Sequence, residues 1–318
     1  MPDPATAEED LWFLPGPMDD DEGAAPAPGI ADWLRAEAGL AARLARVAGR
    51  LGALDDRLLR GPVGWRQRLA LSEAVEIGWH SGNRVSEDRL GLWILARSGA
   101  DADAVTYQRA AWAFRRLSGG PGPGVDLAAF LGRHGSDDLA EALIEWQAAA
   151  RAPGLHPLPR ACRAYHLWPL AGVGPAGDRL EGGVIAARMA AAELSGGALF
   201  VPLAIGGAEG LRPGGDPDVL LARWLAGLEQ GVLRAMRLLD TLSSWRERAE
   251  AAAARLSGRT PPRLITAFCD WPLLSAPMAE EITGASRAAV QRNLDWFANE
   301  GLVREVTGQG RFRVWTIS

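Results

Sequence analysis

A short segment near the C-terminus carries side chains suited to sequence recognition. Val290, Leu294 and Phe297 recur at helical spacing and predict a helix that turns these three residues toward a core. Because each residue advances by about 100° around a helix, the opposite side presents a polar face. Glutamine can make paired hydrogen bonds to adenine and arginine to guanine, while alanine lets a helix approach a groove closely. Ala288, Gln291, Arg292 and Asp295 point away from the core, and Ser286 and Arg287 at the start of the helix complete the predicted reading face. Asp295 would repel phosphates unless it lies beyond the DNA or pairs with a neighbouring arginine.

A predicted β-hairpin follows this helix and adds two further arginines. Residues 302–306 and 311–315 have strand composition, and the glycine-containing stretch 307–310 between them predicts a tight turn. Side chains alternate along a strand, so Arg311 and Arg313 share one face and Phe312 and Val314 share the other. Arginines beside a flexible turn are suited to phosphates or to a narrow minor groove.

Two more helices are predicted to hold the reading face in place. Thr260, Pro261 and Pro262 are expected to stop a preceding long helix, after which 263–269 forms a short amphipathic helix. A second short helix, 276–283, is expected to direct Met278 and Ile282 inward and to end at a glycine, Gly284. Ser286 then caps the third helix.

The order helix, helix, glycine, helix, hairpin resembles the winged helix-turn-helix superfamily over about sixty residues, here 258–318. The resemblance implies binding to double-stranded DNA, with Ser286, Arg287, Ala288, Gln291, Arg292, Arg311 and Arg313 as the DNA-binding residues. One departure is that 279–284 is a residue longer than the commonest helix-turn spacing. Winged helices also serve as protein–protein modules, and this module contains seven arginines against six acids.

The segment 30–257 is predicted to form a mainly α-helical body of seven or eight helices. Its last helix is expected to run from 218 to 257 without a breaker except Gly231. Apolar residues spaced by four and three form a heptad seam along it, which predicts pairing either with a second chain in a homodimer or within the same domain. Because Trp224, Leu233, Met236 and Trp245 widen the stripe, the intramolecular alternative is favoured. The seam comprises Leu221, Leu225, Leu228, Val232, Ala235, Leu239 and Leu242.

Part of the body, 155–194, resembles the Fic family, whose members transfer nucleotide monophosphates to protein hydroxyls. The matching pattern is carried by His156, Pro157, Leu158, Arg160, Ala161 and Ala164, and the stretch from Ser72 is similar to an N-terminal helix of that family. Fic catalysis needs a histidine base and an anion loop of the form HPFxxGNGR. Here the corresponding place reads PLAGVGPAGDRLEGG. The resemblance therefore implies a Fic-like fold with no catalytic, cofactor-binding or metal residues.

The whole sequence resembles an alphaproteobacterial family of unknown function that joins a degenerate Fic-like region to a C-terminal winged helix-turn-helix domain. We therefore expect a non-enzymatic transcriptional regulator that binds DNA, with a body that dimerises or senses an effector ligand or protein partner. Two alternatives stay open. One is a Fic-like nucleotidyltransferase with a divergent active site, and the other is the protein-interaction module of a toxin–antitoxin-like pair.

The distribution of charge along the chain bears on the expected binding to DNA. The net charge is −5, but 1–29 holds eight acidic and no basic residues, so the remainder carries +3 and every basic residue is arginine. The acidic tail is predicted to be disordered, with Leu11 to Leu14 as an anchor on the body.

The absence of long apolar runs predicts a cytoplasmic protein outside the membrane. Cys162 and Cys269 lack disulfide or zinc spacing and are predicted to be packed core thiols.

Overall fold

The computed structural model describes residues 28–96, 104–133, 137–174, 177–308 and 313–318. The protein is mainly helical, as the sequence predicts. The predictions for the acidic tail and its anchor fall almost wholly on residues outside this described part. The described body contains ten α-helices: α1 (Ile30–Gly39), α2 (Ala41–Arg60), α3 (Gly64–His80), α4 (Glu87–Ala96), α5 (Ala104–Ser118), α6 (Leu127–Leu131), α7 (Asp137–Arg151), α8 (Pro157–Leu167), α9 (Leu180–Leu194) and α10 (Pro217–Ala253).

Helix α9 lies in the centre of the body. Its sequence is rich in alanine and glycine and nearly apolar all round, which is typical of a helix enclosed by neighbours. The glycines allow those neighbours to approach, since a Cβ atom on Gly182 would lie 2.9 Å from the Trp168 side chain and one on Gly183 would lie 3.2 Å from Ile77. Helices α3, α5 and α8 pack around it. This close packing sets the layout of the other helices.

The irregular segment between α9 and α10 is held by two buried carboxylates. Asp55 accepts hydrogen bonds from the backbone N–H groups of 196–198 at 2.6–2.9 Å. Glu73 accepts from the N–H groups of 203–205 at 2.7–3.0 Å. Buried backbone donors outside regular structure need such partners. The two side chains therefore replace a secondary-structure ladder for this segment.

The predicted heptad seam of α10 is buried within its own chain. All seven seam residues are buried in the single chain, packed largely against α1, α2 and the turn at Ala208–Leu211. The intramolecular alternative is thus confirmed, and a homodimer through this seam is wrong because the seam is already covered. The helix spans 37 residues, about 55 Å at 1.5 Å per residue. It ends four residues earlier than predicted, because Thr260 and Pro261 open the next helix instead of stopping this one.

The C-terminal part contains three helices and a small sheet. The strand order is β1-β3-β2, and both pairings are antiparallel. The sequence predicts the β2–β3 hairpin but not β1, which is only two residues long. β3 also begins later than predicted, and Arg311 and Phe312 lie outside the described residues. The elements are α11 (Thr260–Asp270), β1 (Leu274–Ser275), α12 (Ala276–Thr283), α13 (Arg287–Asn299), β2 (Val303–Glu305) and β3 (Val314–Ile317).

This part has an apolar core of its own, and α10 contributes to it. Trp245, Ala249 and Ala253 of α10 pack with the buried faces of α11 and α13. The Trp245 indole N–H also donates to the Leu302 carbonyl at 2.7 Å. We call residues 258–318 the C-terminal module, and its core extends into the last turns of α10. The module is therefore continuous in packing with the body.

Helix α12 has the predicted bounds but a different inner face. Ala279 and Thr283 are buried, Met278 is half-buried, and Ile282 is 43% exposed. The inward position predicted for Ile282 is therefore wrong. The helix packs through its small residues, and the Thr283 hydroxyl is satisfied by donating to the Ala279 carbonyl at 2.6 Å.

The two cysteines are buried free thiols, as predicted. None of the described helices has the length and apolarity needed to cross a bilayer.

The buried carboxyl group of Glu73 predicts a pH-dependent stability. Burial raises its pKa from near 4.5 to about 7, against the opposing effect of its three N–H donors. The folded state therefore holds the proton more tightly than the unfolded chain. This contribution to stability is fully present below about pH 4.5 and is lost as pH rises through about 7.

We expect urea unfolding to reveal this effect when the wild type is compared with Glu73→Gln. Between roughly pH 5.5 and 8.5, the wild type should lose on the order of 2 kcal/mol more unfolding free energy than the variant. Glu145→Gln, a change on the exposed side of α7, should behave like the wild type. Identical pH dependence of the wild type and Glu73→Gln would show that this carboxyl group titrates normally.

Candidate nucleic-acid interface

The start of α13 is fixed by caps on both sides of a tight turn. Helix α12 begins at Ser275, whose hydroxyl accepts from the Met278 N–H, and ends at Gly284 with φ of 63°. Glycine adopts this left-handed conformation without a steric cost. The Ser286 hydroxyl then accepts from the Ala289 N–H, as predicted for the cap of α13. These local interactions set the angle at which α13 leaves the turn.

Arg263 braces the same turn from α11. One terminal nitrogen of its guanidinium donates to the Thr283 carbonyl at 2.6 Å. This carbonyl is at the C-terminal end of α12, where carbonyls lack helical partners and attract cations. Helices α11 and α12 are thereby joined at the turn that precedes α13.

Helix α13 has one fully buried side and one open side. Val290, Leu294 and Phe297 are completely buried, which confirms the predicted inner face. On the other side Ala288 and Arg292 are exposed and Gln291 is half-buried, while Ser286 and Arg287 are exposed at the N-terminal end of the helix. The predicted reading face therefore combines the outer side of α13 with its exposed first turn.

The two arginines on this surface differ in whether an acidic side chain of the protein lies near them. Arg292 is exposed and has no hydrogen bond or ion pair among the described residues. Arg287 lies 3.6 Å from the Glu280 carboxylate, but its side chain is 80% exposed. Such an open pair contributes little, because water screens it. Both guanidiniums are thus accessible to a ligand.

Asp295 organises the remainder of the surface. Its carboxylate accepts from the Gln291 amide at 2.9 Å and from an Arg313 nitrogen at 3.4 Å. The sequence identifies Asp295 as a charge that repels phosphates unless it lies beyond the DNA or pairs with a neighbouring arginine, and the structure shows such a pair with Arg313. The spacing of four residues between Gln291 and Asp295 is the signal that could have predicted their hydrogen bond.

Arg313 of the hairpin is held by its neighbours and is not a free contact. Its Nε donates to a Glu305 carboxylate oxygen at 2.6 Å, and its guanidinium lies 4.9 Å above the Trp315 ring. The hydrogen bond with Glu305 raises the pKa of Arg313. The side chain is one-third exposed. Arg311, the other predicted hairpin residue, lies outside the described residues.

A buried arginine of the body anchors the C-terminal module from behind. Arg68 of α3 donates to the carbonyls of Phe268, Trp271 and Pro272, where α11 ends and the next loop begins. Burial lowers the pKa of Arg68 to about 10. The Thr316 hydroxyl donates to the same Pro272 carbonyl at 2.8 Å. Among the described residues, these anchoring bonds do not involve the exposed face of α13.

A second link joins the hairpin to α4. Two terminal nitrogens of Arg304 reach the two carboxylate oxygens of Asp88 at 2.8 and 3.0 Å. Bidentate pairs of this kind define orientation as well as distance. The hairpin is therefore oriented by the body, although it is part of the C-terminal module.

The stretch that resembles the Fic family folds as α8, a short 3-10 turn at Trp168–Ala171 and α9. The His156 ring caps α8 by accepting from the Leu158 N–H at 3.2 Å, and burial lowers its pKa. At the start of α9, the Asp178 carboxylate accepts from the Leu180 N–H at 2.9 Å. A helix N-terminus attracts anions, and here the chain's own carboxylate already takes that place.

Two arginines near this helix start are also paired. Arg109 pairs with Asp178, and Arg133 pairs with Glu181 at 2.6 Å. The Nε2 atom of His80 lies 3.4 Å from the Leu211 carbonyl oxygen. In the described residues no group of three or more histidine, cysteine, aspartate or glutamate side chains could hold a metal ion. These arrangements are those of packed structural polar groups.

Comparisons with profiles of known protein families and with curated proteins found no match to this chain.

The role of Arg68 can be tested by Arg68→Met, which keeps the length of the side chain but removes all its donors. The buried Phe268 carbonyl would lose its partner at a cost of about 1–3 kcal/mol, whereas the Pro272 carbonyl keeps the Thr316 hydroxyl, so we expect the unfolding free energy to fall by about 1–3 kcal/mol. The exposed Arg35→Met on α1 should change it by less than about 0.5 kcal/mol. Denaturant titration measures both, and equal small losses would contradict an anchoring role for Arg68.

Proposed function

We propose that the C-terminal module is a winged helix-turn-helix domain that binds double-stranded DNA, and that the protein is a DNA-binding transcriptional regulator. The observation that carries this proposal is the two-sided character of α13. Its inner side is completely buried, while Ser286, Arg287, Ala288 and Arg292 are exposed together at its N-terminal half. This is the arrangement that a helix needs to enter a major groove and reach base edges.

The order of elements supports the same proposal. A helix, a short strand, two helices and a two-stranded hairpin follow one another, and the three strands form one antiparallel sheet. Winged helix-turn-helix domains share this order. In that arrangement α13 is the recognition helix, α11 and α12 support it, and the β2–β3 hairpin is the wing.

In this proposal Arg292 is the principal base-reading side chain, because it is exposed and no described residue pairs with it. Gln291 can form hydrogen bonds to a base only after its hydrogen bond to Asp295 breaks. Arg313 contributes charge at the wing only if DNA phosphates compete with Glu305 and Asp295. We infer that phosphate attraction is weak and that direct contacts from α13 supply most of the discrimination between sequences.

The body acts in this proposal as a non-catalytic platform. In the Fic-like stretch the Asp178 carboxylate occupies the start of α9, and Arg109 and Arg133 are paired with acidic side chains of the chain itself. Any homodimer would have to use a surface other than the α10 seam.

One observation favours a second candidate function, a protein-interaction module. The arginine-to-acid balance of the module is nearly even, and Arg313 is paired with acidic neighbours. Such a surface suits a mixed-charge protein partner. Salt-dependent enrichment of one sequence from a random duplex pool would support DNA binding, while no enrichment by a folded protein would favour a protein partner.

Arg292→Ala tests the proposed reading face. If Arg292 pairs with a guanine, the variant should lose about 1–3 kcal/mol of discrimination at one base pair of the selected site, with little change on random duplex. Fluorescence anisotropy with matched duplexes measures both affinities. Arg115→Ala, an exposed arginine of α5, is the control and should bind both duplexes like the wild type. Equal losses on the selected and random duplexes would show that Arg292 contacts phosphate instead of a base.

Asp295→Asn tests whether Asp295 weakens the attraction between this surface and DNA phosphates. The change removes a negative charge and frees Arg313 from one of its two acidic partners. We expect tighter binding to random duplex at low salt, and a salt dependence steeper by about one phosphate contact. The matched control is Glu141→Gln on α7, which removes one charge from an exposed site outside the C-terminal module. A similar gain in both variants would mean that only net charge matters.

A further inference from the structure

A cavity lies in the body between α7, α8, α9 and the loop that joins α5 to α6. It has a volume of about 190 Å³. This is smaller than the roughly 300–1,000 Å³ of drug-sized sites, so the cavity suits a ligand with on the order of ten non-hydrogen atoms. Ligand sites of this kind combine an apolar lining with a few polar groups, and both are present here.

Helix α7 lines the cavity with two rows of residues. Trp146 and Ala150 are buried and form the inner row. Gln147 is half-buried, Arg151 is exposed, and these two form the outer row. Residues four apart are neighbours on the surface of a helix. The side chains of Gln147 and Arg151 therefore lie next to each other on the open side of the cavity, within reach of one small group.

The lining offers hydrogen-bond donors that have no partners. Neither the amide of Gln147 nor the guanidinium of Arg151 has a hydrogen bond or an ion pair among the described residues. The indole N–H of Trp146 and the Nε–H of Arg160 are buried and also lack an acceptor there. None of the described residues that line the cavity is acidic. Because unpaired donors cost free energy when they leave water, this lining favours a ligand that carries acceptors.

The charges around the cavity leave one arginine without an acidic partner. Arg160 forms two hydrogen bonds with the Glu193 carboxylate at 2.8 and 3.1 Å, so its charge is offset. Arg151 forms no ion pair in the described part of the chain. It is the last residue of α7, but the Ala149 carbonyl at this helix end accepts from Arg163 instead. The positive charge of Arg151 is therefore open to an anion.

We propose that this cavity binds a small carboxylate with an apolar body. The carboxylate accepts hydrogen bonds from Arg151, whose planar guanidinium matches two oxygens, and from the neighbouring Gln147 amide. The apolar body lies against Pro123, Ala150 and Met189. The site belongs to the body alone and does not depend on the proposed DNA binding.

A ligand at this place contacts three helices of the body together. Helices α7, α8 and α9 each contribute side chains to the lining, and α9 is the helix around which α3, α5 and α8 pack. A ligand that binds only the folded state lowers the unfolding equilibrium constant about 100-fold at a concentration 100 times its Kd. We therefore expect the bound carboxylate to protect the body against denaturant.

Titration of the full chain with benzoate, followed by ligand-detected NMR, tests the proposal. Benzamide and benzamidine are the matched neutral and cationic probes. We expect benzoate to bind with a Kd of about 1 mM or below, benzamide at least fivefold more weakly and benzamidine at least tenfold more weakly. The affinity for benzoate should fall as salt rises, because part of the attraction is between charges.

Substitutions on α7 test the assigned contacts. Arg151→Gln should weaken benzoate binding at least fivefold, because it removes charge-assisted hydrogen bonds. Gln147→Met should weaken it about threefold, as expected for one neutral hydrogen bond. The matched control is Arg248→Gln on α10, an exposed arginine that also lacks a hydrogen bond or ion pair among the described residues, and it should bind like the wild type. Circular dichroism will check that each variant is folded.

Four results would contradict the proposal. No change in the benzoate signals up to about 10 mM, or unchanged affinity in Arg151→Gln, would overturn the site. Equal binding of benzoate, benzamide and benzamidine would overturn the assigned ligand class. An equal loss in Arg151→Gln and Arg248→Gln would show attraction to net charge instead of a site. All of these are measured without DNA, so they are distinguishable from a failure of the proposed DNA-binding function.

Discussion

The guanidinium of Arg68 is the interaction on which the relation between the two parts of this protein depends. It is largely removed from water and donates to three carbonyls that are about 200 residues away in sequence. An isolated buried charge is costly, and hydrogen bonds to the end of α11 compensate because helix C-terminal carbonyls carry a partial negative charge. The position of α11 then determines where α12 and α13 lie. The exposed face of α13 is therefore oriented by a residue of the body.

Asp55 and Glu73 are two more buried ionisable side chains that form hydrogen bonds to backbone groups, in their case within the body. Each collects three backbone N–H groups from an irregular segment that crosses the core. A segment with no ladder of its own must satisfy its buried donors through side chains. Burial of Glu73 raises its pKa to about 7, so this solution makes the packing of the segment sensitive to pH near neutrality.

An acidic side chain already occupies part of the polar face of α13. Asp295 accepts hydrogen bonds from Gln291 and Arg313, while Arg292 has no partner among the described residues. Charges that are paired inside the protein attract phosphates less, because binding must first break those pairs. In the proposed regulator, this pairing reduces attraction to random DNA and leaves recognition to a few unpaired contacts.

The sequence by itself determined the features that depend on neighbours along the chain. Helical spacing predicted the buried face of α13, and serine and glycine predicted its cap and turn, because caps and periodicity act within a few residues. Only the tertiary structure decided the features that join distant residues. These include the pairing of β1 with β3, the outward position of Ile282 and the burial of Arg68, which looks like an ordinary helical arginine in the sequence. The physical reason is that such contacts depend on which surfaces meet after folding, and no local pattern encodes that choice.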